Sequence, residues 1–223
     1  MIVIFNGPPK SGKDEAAKLY KEQFGFDNLS FKYQLFKETI SHFEVNEEWF
    51  MEGYGNREIK EKKEHALNGM SRREAMIHVS EDIIKPKKGK DYFGRMVSEE
   101  IEEGKNYAIA DGGFIEELEP LMEKVGAENI VLVQLARSGC DYSSDSRRYF
   151  NGNVIKEYVI NSASHIDKEY VLPEELNIRT YRVHNNGSVR NFHSVLNDIF
   201  NELRNDFDIR EDEGNADSQC DQS

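Results

Sequence analysis

"IVIFNGPPKSGKDEAAKLY", Ile2 to Tyr20, decides how this chain is read. It opens with a short apolar run, Ile2 to Phe5, rich in β-branched residues and stopped by Asn6-Gly7-Pro8-Pro9, the pattern of a strand buried on both faces. From Asp14 onward Ala16, Leu19, Tyr20 and Phe24 recur at helical spacing, and Gly25 stands where a helix commonly ends on glycine. Between the two, Gly7, Gly12 and Lys13 match a phosphate-binding loop, while Asp14 occupies the place of the usual Ser or Thr hydroxyl. Strand, loop and helix in that order are what such a loop requires, because its backbone N–H groups and the positive end of the helix then point at one anion. The bland alternative, a glycine-containing turn before a surface helix, fits that context less well.

In this loop Lys13 reaches the transferable phosphate, and the small residues Ser11 and Gly12 let the backbone curl around its oxygens. Asp14 reads in two ways, as a first-turn acid favourable to the helix dipole or as a ligand of Mg²⁺ in place of the hydroxyl.

Composition bounds the rest. A chain of 223 residues with 38% hydrophobic content suits one substantial domain, alone or carrying an inserted lobe. The formal net charge of -13 repels polymeric nucleic acid and anionic membranes at long range, but leaves room for small anions where basic residues converge. Cys140 and Cys220 are too few for a disulfide scaffold, and no apolar run approaches a membrane span, so a soluble protein of a reducing cytoplasm is expected. A homodimer is left open.

Strand-like and helix-like segments alternate along the chain. "NLSF" (28–31), "YAIAD" (107–111), "IVLVQLA" (130–136) and "TYRVHNNGS" (180–188) read as strands or strand and turn. Helices are expected around Phe36, Ile40 and Phe43, around Phe93, Met96, Val97 and Ile101, around Leu118, Leu121, Met122 and Val125, and from Phe192 to Leu203. Ser71 and Glu74 form a capping box for a further helix carrying Ala75, Met76, Val79 and Ile83, followed by a basic loop, "KPKKGKD" (85–91). Residues 44–70, rich in charge and glycine, read as an insertion with little core of its own, in which Trp49, Phe50 and Tyr54 pack on the lobe's own helices or, as the lesser alternative, stack on a base. The polar stretch from Arg137 to Asn153 suits a mobile surface segment, and the acidic residues 209–223 a disordered tail. The expected fold is α/β, a parallel sheet flanked by helices, with ligands at the carboxyl ends of its strands. There Asp111 ends a strand as an acid for Mg²⁺, held directly or through an intervening ligand, or as a turn residue.

"SGKD" in the loop, "KYQL" (32–35), "SRREAM" (71–76), "DYFGR" (91–95) and "NNGS" (185–188) together resemble the phage deoxynucleoside monophosphate kinase family, in the same order over most of the chain. The resemblance makes Asp14 a family trait. It implies a P-loop NTPase of the nucleoside monophosphate kinase type, 1–208, with an acceptor-binding lobe at 44–70 and a lid at 137–152. It also implies transfer of the γ-phosphoryl of ATP to a deoxynucleoside monophosphate with Mg²⁺. Gly7, Lys10, Ser11, Gly12, Lys13, Asp14 and Asn185 are then expected at ATP, and Lys32, Arg72, Arg73, Asp91 and Tyr92 at the acceptor. Asp14 and Asp111 are expected at the metal, and Lys13 with Arg137, Arg147 and Arg148 at the transferring phosphate. One departure stands out: in the family an acid or Arg-containing stretch follows the third strand, and this chain has Gly112 and Gly113 where an Arg is expected. Rival readings are a P-loop kinase of another acceptor, since phosphomevalonate kinases of the animal type also carry "SGKD" and a kinase modifying bases in DNA would use the same machinery, and a nucleotide-binding protein without turnover.

Overall fold

A computed structural model describes residues 1–143 and 145–207, so the segment expected as a disordered tail lies outside the described residues. In chain order the strands are β1 (Ile2–Asn6), β2 (Asp27–Leu29), β3 (Lys63–Glu64), β4 (Met70–Ser71), β5 (Tyr107–Ile109), β6 (Ile130–Ala136), β7 (Tyr149–Ile160) and β8 (Val171–Asn185). The α-helices are α1 (Lys13–Phe24), α2 (Phe31–Phe43), α3 (Glu47–Gly55), α4 (Arg57–Lys60), α5 (Arg72–His78), α6 (Lys85–Lys88), α7 (Tyr92–Glu99), α8 (Ile115–Val125) and α9 (Val189–Phe207).

β1 and β6 are buried along their whole length, and alternate side chains pass to opposite faces as the strand period demands. Val3, Phe5, Val131, Val133 and Leu135 meet Leu19 and Tyr20 of α1 and Phe192, Leu196 and Ile199 of α9. Ile2, Ile4, Ile130 and Leu132 meet Phe31 of α2, Phe93 and Val97 of α7, and Leu118 and Leu121 of α8. The fold is therefore α/β, a six-stranded parallel sheet in the order β2-β5-β1-β6-β8-β7 with helices on both faces. β1 lies mid-sheet between β5 and β6, so the loop that leaves it opens onto the crevice at the carboxyl ends of the strands. No helix among the described residues is long and apolar enough to cross a membrane.

Several expectations need correction. The strand expected at 28–31 ends at Leu29, because Ser30 becomes the N-cap of α2 and its hydroxyl accepts from the Tyr33 N–H. The capping box of Ser71 and Glu74 is present, but the helix it opens does not give way to a loop at Lys85. It widens into a π-helical turn, Val79–Ile84, and continues as α6, which carries Pro86.

The stretch read as free of core residues is the largest miss. Tyr142, Tyr149 and Phe150 are buried, and Tyr149 opens β7, an edge strand whose polar exposed face concealed it. The Asn6 side chain anchors the entry: its Oδ1 accepts from the Phe150 N–H at 2.8 Å and its Nδ2 donates to Arg148 O at 3.0 Å.

The insertion also has a core. Phe50 and Leu67 are buried with Phe36 of α2 and with Ala75 and Met76 of α5, while Trp49 and Tyr54 pack against them. Arg72 completes it: fully buried, its guanidinium lies 3.9 Å from the centre of the Trp49 ring, donates to Trp49 O at 3.3 Å and pairs with Glu64 at 3.5 Å. Arg72→Ala should therefore cost about 2–4 kcal/mol of stability, since it removes a stacked plane and leaves Glu64 unpaired. Arg73→Ala, at an exposed pair with Glu61, should stay within about 0.5 kcal/mol. Urea unfolding of the two variants checks this, and equal losses would contradict the packing role of Arg72.

Candidate functional site

The loop after β1 is built by its backbone. Gly12, at φ 112°, stands in the left-handed region before α1, and a Cβ there would lie 2.8 Å from Asn185 Nδ2. Asn185, at the end of β8, donates that Nδ2 to Ser11 O at 2.9 Å and so ties the loop to the sheet. A Cβ on Gly7 would meet Leu135 O at 2.5 Å. Lys10 also takes a positive φ, 68°. Ser11 Oγ is buried without a hydrogen-bond partner, an orphan of the kind a bound oxygen would satisfy.

Lys13 follows at the first position of α1. Its side chain is buried, and its Nζ donates to Pro8 O at 2.7 Å. Burial, reinforced by the Arg147 guanidinium, pushes its pKa down to about 8, against the pull of Asp14 and Asp145. The acids around Lys13 therefore compensate its buried charge only in part.

Lys13 opens into a cleft of about 680 Å³. Lys10, Lys13 and Asp14 line one end, and Lys32, Tyr54, Lys60 and Arg73 come from α2 and the lobe. Arg147, Asp111, Lys85 and Glu117 complete the charged lining, and Phe31, Leu35, Met76, Phe93 and Phe114 supply apolar wall. Lys32 and Lys60 flank the same ring, with their Nζ atoms 5.7 and 4.1 Å from the centre of Tyr54. Burial and the neighbouring Arg73 hold Lys60 below the usual lysine range. In a chain of net charge -13, cations from six separate segments converge here.

Arg147 reaches the cleft by a route the sequence hid. Its Nε and Nη2 donate to the two carboxylate oxygens of Asp145 at 2.9 and 2.6 Å, and its stem lies over Gly113. A Cβ at position 113 would meet Arg147 Cβ at 2.5 Å. The glycine found where an arginine was expected thus makes room for an arginine arriving from another segment. Burial is the largest single influence on Asp145 and opposes its ionisation, but the hydrogen bonds and charge of Arg147, with the charge of Lys13, together outweigh it and hold the carboxyl below its usual range.

Other expected residues do not line the cleft. Arg72 is the lobe's core residue described above. Arg137 is exposed at the end of β6. Arg148 turns to the segment's own carbonyls, donating to Asp145 O at 3.0 Å and Arg147 O at 2.8 Å. Asp91 pairs with Arg95, and the Tyr92 hydroxyl donates to Glu38. Gly7, Ser11, Gly12 and Asn185 shape the loop from behind the lining. Asp111 lines the cleft yet caps α2: its carboxylate accepts from the Ser30 hydroxyl at 2.7 Å, the Lys32 N–H at 2.8 Å and the Phe31 N–H at 3.3 Å. Sequence reading missed Lys60 and Glu117, because a lysine in a charged run and an acid in a helix first turn carry no signal of facing a cleft.

Among the described residues no group of three or more His, Cys, Asp or Glu side chains could hold a metal ion. A Mg²⁺ ion bound through nucleotide phosphates, water and a single carboxylate needs no such cage, and Asp14, lining the cleft beside Lys13, fits that role. No protein-family model matches the chain, and no curated protein matches it. What the cleft does is therefore argued from its chemistry.

Proposed function

We propose that the cleft transfers the γ-phosphoryl of ATP to a nucleoside 5'-monophosphate, and that the loop 7–14 is a P-loop of the nucleoside monophosphate kinase type. The observation that carries this reading is the convergence of Lys13, Lys32, Lys60, Arg73 and Arg147 on one cleft at the carboxyl ends of the strands. A single anionic ligand would need fewer cations; two phosphate chains meeting head to head need them all. The resemblance in "SGKD", "KYQL" and "SRREAM" points the same way.

In this reading the loop N–H groups hold the nucleotide's phosphates, and Lys13 neutralises charge on the oxygens being transferred. Lys32, Lys60 and Arg73 bind the acceptor phosphate. Arg147, fixed by Asp145 and close enough to act on both Lys13 and Lys60, stabilises the charge that develops as the phosphoryl passes. Mg²⁺, when bound, neutralises charge on the nucleotide's phosphates, with Asp14 as its protein contact.

A bisubstrate analogue joining two nucleosides through five phosphates should bind at least about a hundredfold more tightly than ADP, because it engages both sets of cations at once. Calorimetry tests this; affinity no better than that of ADP would leave the acceptor half without support.

The lowered pKa of Lys13 also gives a pH dependence. Bound phosphate favours the charged amine, so above about pH 8 binding must take up a proton. ADP affinity should be level below pH 8 and fall by up to about tenfold per pH unit above it. Proton uptake measured in buffers of different ionisation enthalpy checks the cause.

A further inference from the structure

Of the acids that line this cleft, Glu117 is the buried one. It lies in the first turn of α8, is 7% exposed, and lines the cleft beside Phe31, Phe93 and Phe114. α7 abuts its backbone so closely that a Cβ on Gly94 would come within 2.5 Å of Glu117 O. Its side chain is thus held on the cleft wall. None of the hydrogen bonds found among the described residues ends on its carboxyl; what reaches it is charge. Asp111 faces it from the end of β5, Lys85 from α6, Arg147 from the segment before β7, and Glu116 from its own helix. Asp111 is occupied with α2, Lys85 with Glu81 and Arg147 with Asp145. A carboxyl that makes no hydrogen bond to the protein and opens onto a half-apolar cleft is available to a ligand there.

We propose that Glu117 hydrogen-bonds the base of the acceptor and sets which bases are taken. This deepens the kinase reading and rests on it. The ligand class follows from the wall: a flat, largely apolar ring that suits Phe31, Phe93 and Phe114, with a donor and an acceptor side by side on one edge. A purine or pyrimidine meets both conditions. Burial and the Asp111 carboxylate hold Glu117 up at about 8, with Lys85 and Arg147 opposing, so at neutral pH the acid has one O–H to donate and one oxygen to accept. Above pH 8 it becomes an acceptor only, and a base edge that needs a donor loses one bond.

The test measures dissociation constants of nucleoside monophosphates differing only in base, with inorganic phosphate and ADP as controls, at pH 6.5 and 9.5. Glu117→Ala should weaken the preferred monophosphate about tenfold to a hundredfold and level the preference among bases. Phosphate and ADP should bind as to the wild type. Glu117→Gln, whose amide donates and accepts at every pH, should keep neutral-pH affinity within about threefold and lose the extra weakening that the wild type shows for monophosphates over inorganic phosphate at pH 9.5. An unchanged base preference in Glu117→Ala, or the same extra weakening in Glu117→Gln, overturns the proposal while leaving the kinase reading intact. Wild-type protein that binds ADP but no monophosphate overturns both.

Discussion

Lys13→Met should abolish phosphoryl transfer and at the same time make the protein more stable. The two effects share one cause. Lys13 is a cation buried for a ligand, and without the ligand its charge is poorly compensated: burial and Arg147 lower its pKa from the ordinary 10.5 to about 8. Below pH 8 both folded and unfolded chains carry the proton, and the folded state bears the full cost, about 3 kcal/mol at about 1.4 kcal/mol per pH unit. Between pH 8 and 10.5 the unfolded chain binds more protons, so wild-type stability rises with pH across that window and the cost fades. Methionine keeps the stem and removes the charge, giving up the bond to Pro8 O, so Lys13→Met should gain about 1–3 kcal/mol at pH 7 and less at pH 10. Turnover should fall at least about a thousandfold, because no other side chain replaces the charge at the transferring oxygens. Urea unfolding at the two pH values, set beside turnover, checks both halves. A variant less stable than wild type at pH 7, or one keeping more than about a tenth of wild-type turnover, would contradict the assignment.

Arg147→Ala should lower turnover by about a hundredfold to a thousandfold, whereas Arg148→Ala should change it by less than about threefold. The two arginines are neighbours of the same chemistry on one polar segment. Only Arg147 lines the cleft, while Arg148 is spent on the carbonyls of Asp145 and Arg147. The mechanism can be probed without touching the arginine. Gly113→Val would place a Cβ 2.5 Å from Arg147 Cβ, force the stem away and produce most of the Arg147→Ala loss. Steady-state rates for the three variants decide it. A Gly113→Val enzyme of normal turnover would mean that Arg147 need not lie where it does, and a large loss in Arg148→Ala would mean that the segment acts as a unit.

What was legible in the sequence was what neighbours in sequence decide. The loop from Gly7 to Lys13 declares itself because strand, glycines and helix follow one another directly, and the α9 stripe because a single helix face carries it. The buried run of β6 has only one plausible place in such a fold. The site beyond the loop depends on residues brought together from afar, and there the pattern fails for identifiable reasons. Arg72 and Arg73 are adjacent in the first turn of α5, and a step of one residue around a helix sends one into the lobe and the other to the cleft. β7 pairs with β8 on one edge only and shows solvent a mixed face, so its tyrosine and phenylalanine were lost among polar residues. Asp111 was read for its charge, yet its oxygens serve the amides of α2. Gly113 alone suggests the loss of an arginine, whereas in the fold Arg147 lies over it.

The most direct measurement follows the terminal phosphate of ATP. With γ-labelled ATP, Mg²⁺ and each nucleoside 5'-monophosphate in turn, the label should appear in the corresponding nucleoside diphosphate for at least one base, and it should fail to appear when the metal is chelated or when Lys13→Met replaces the wild type. Label that stays in ATP, or passes only to water, for every monophosphate offered to a protein that binds ATP would contradict transfer between two nucleotides in this cleft.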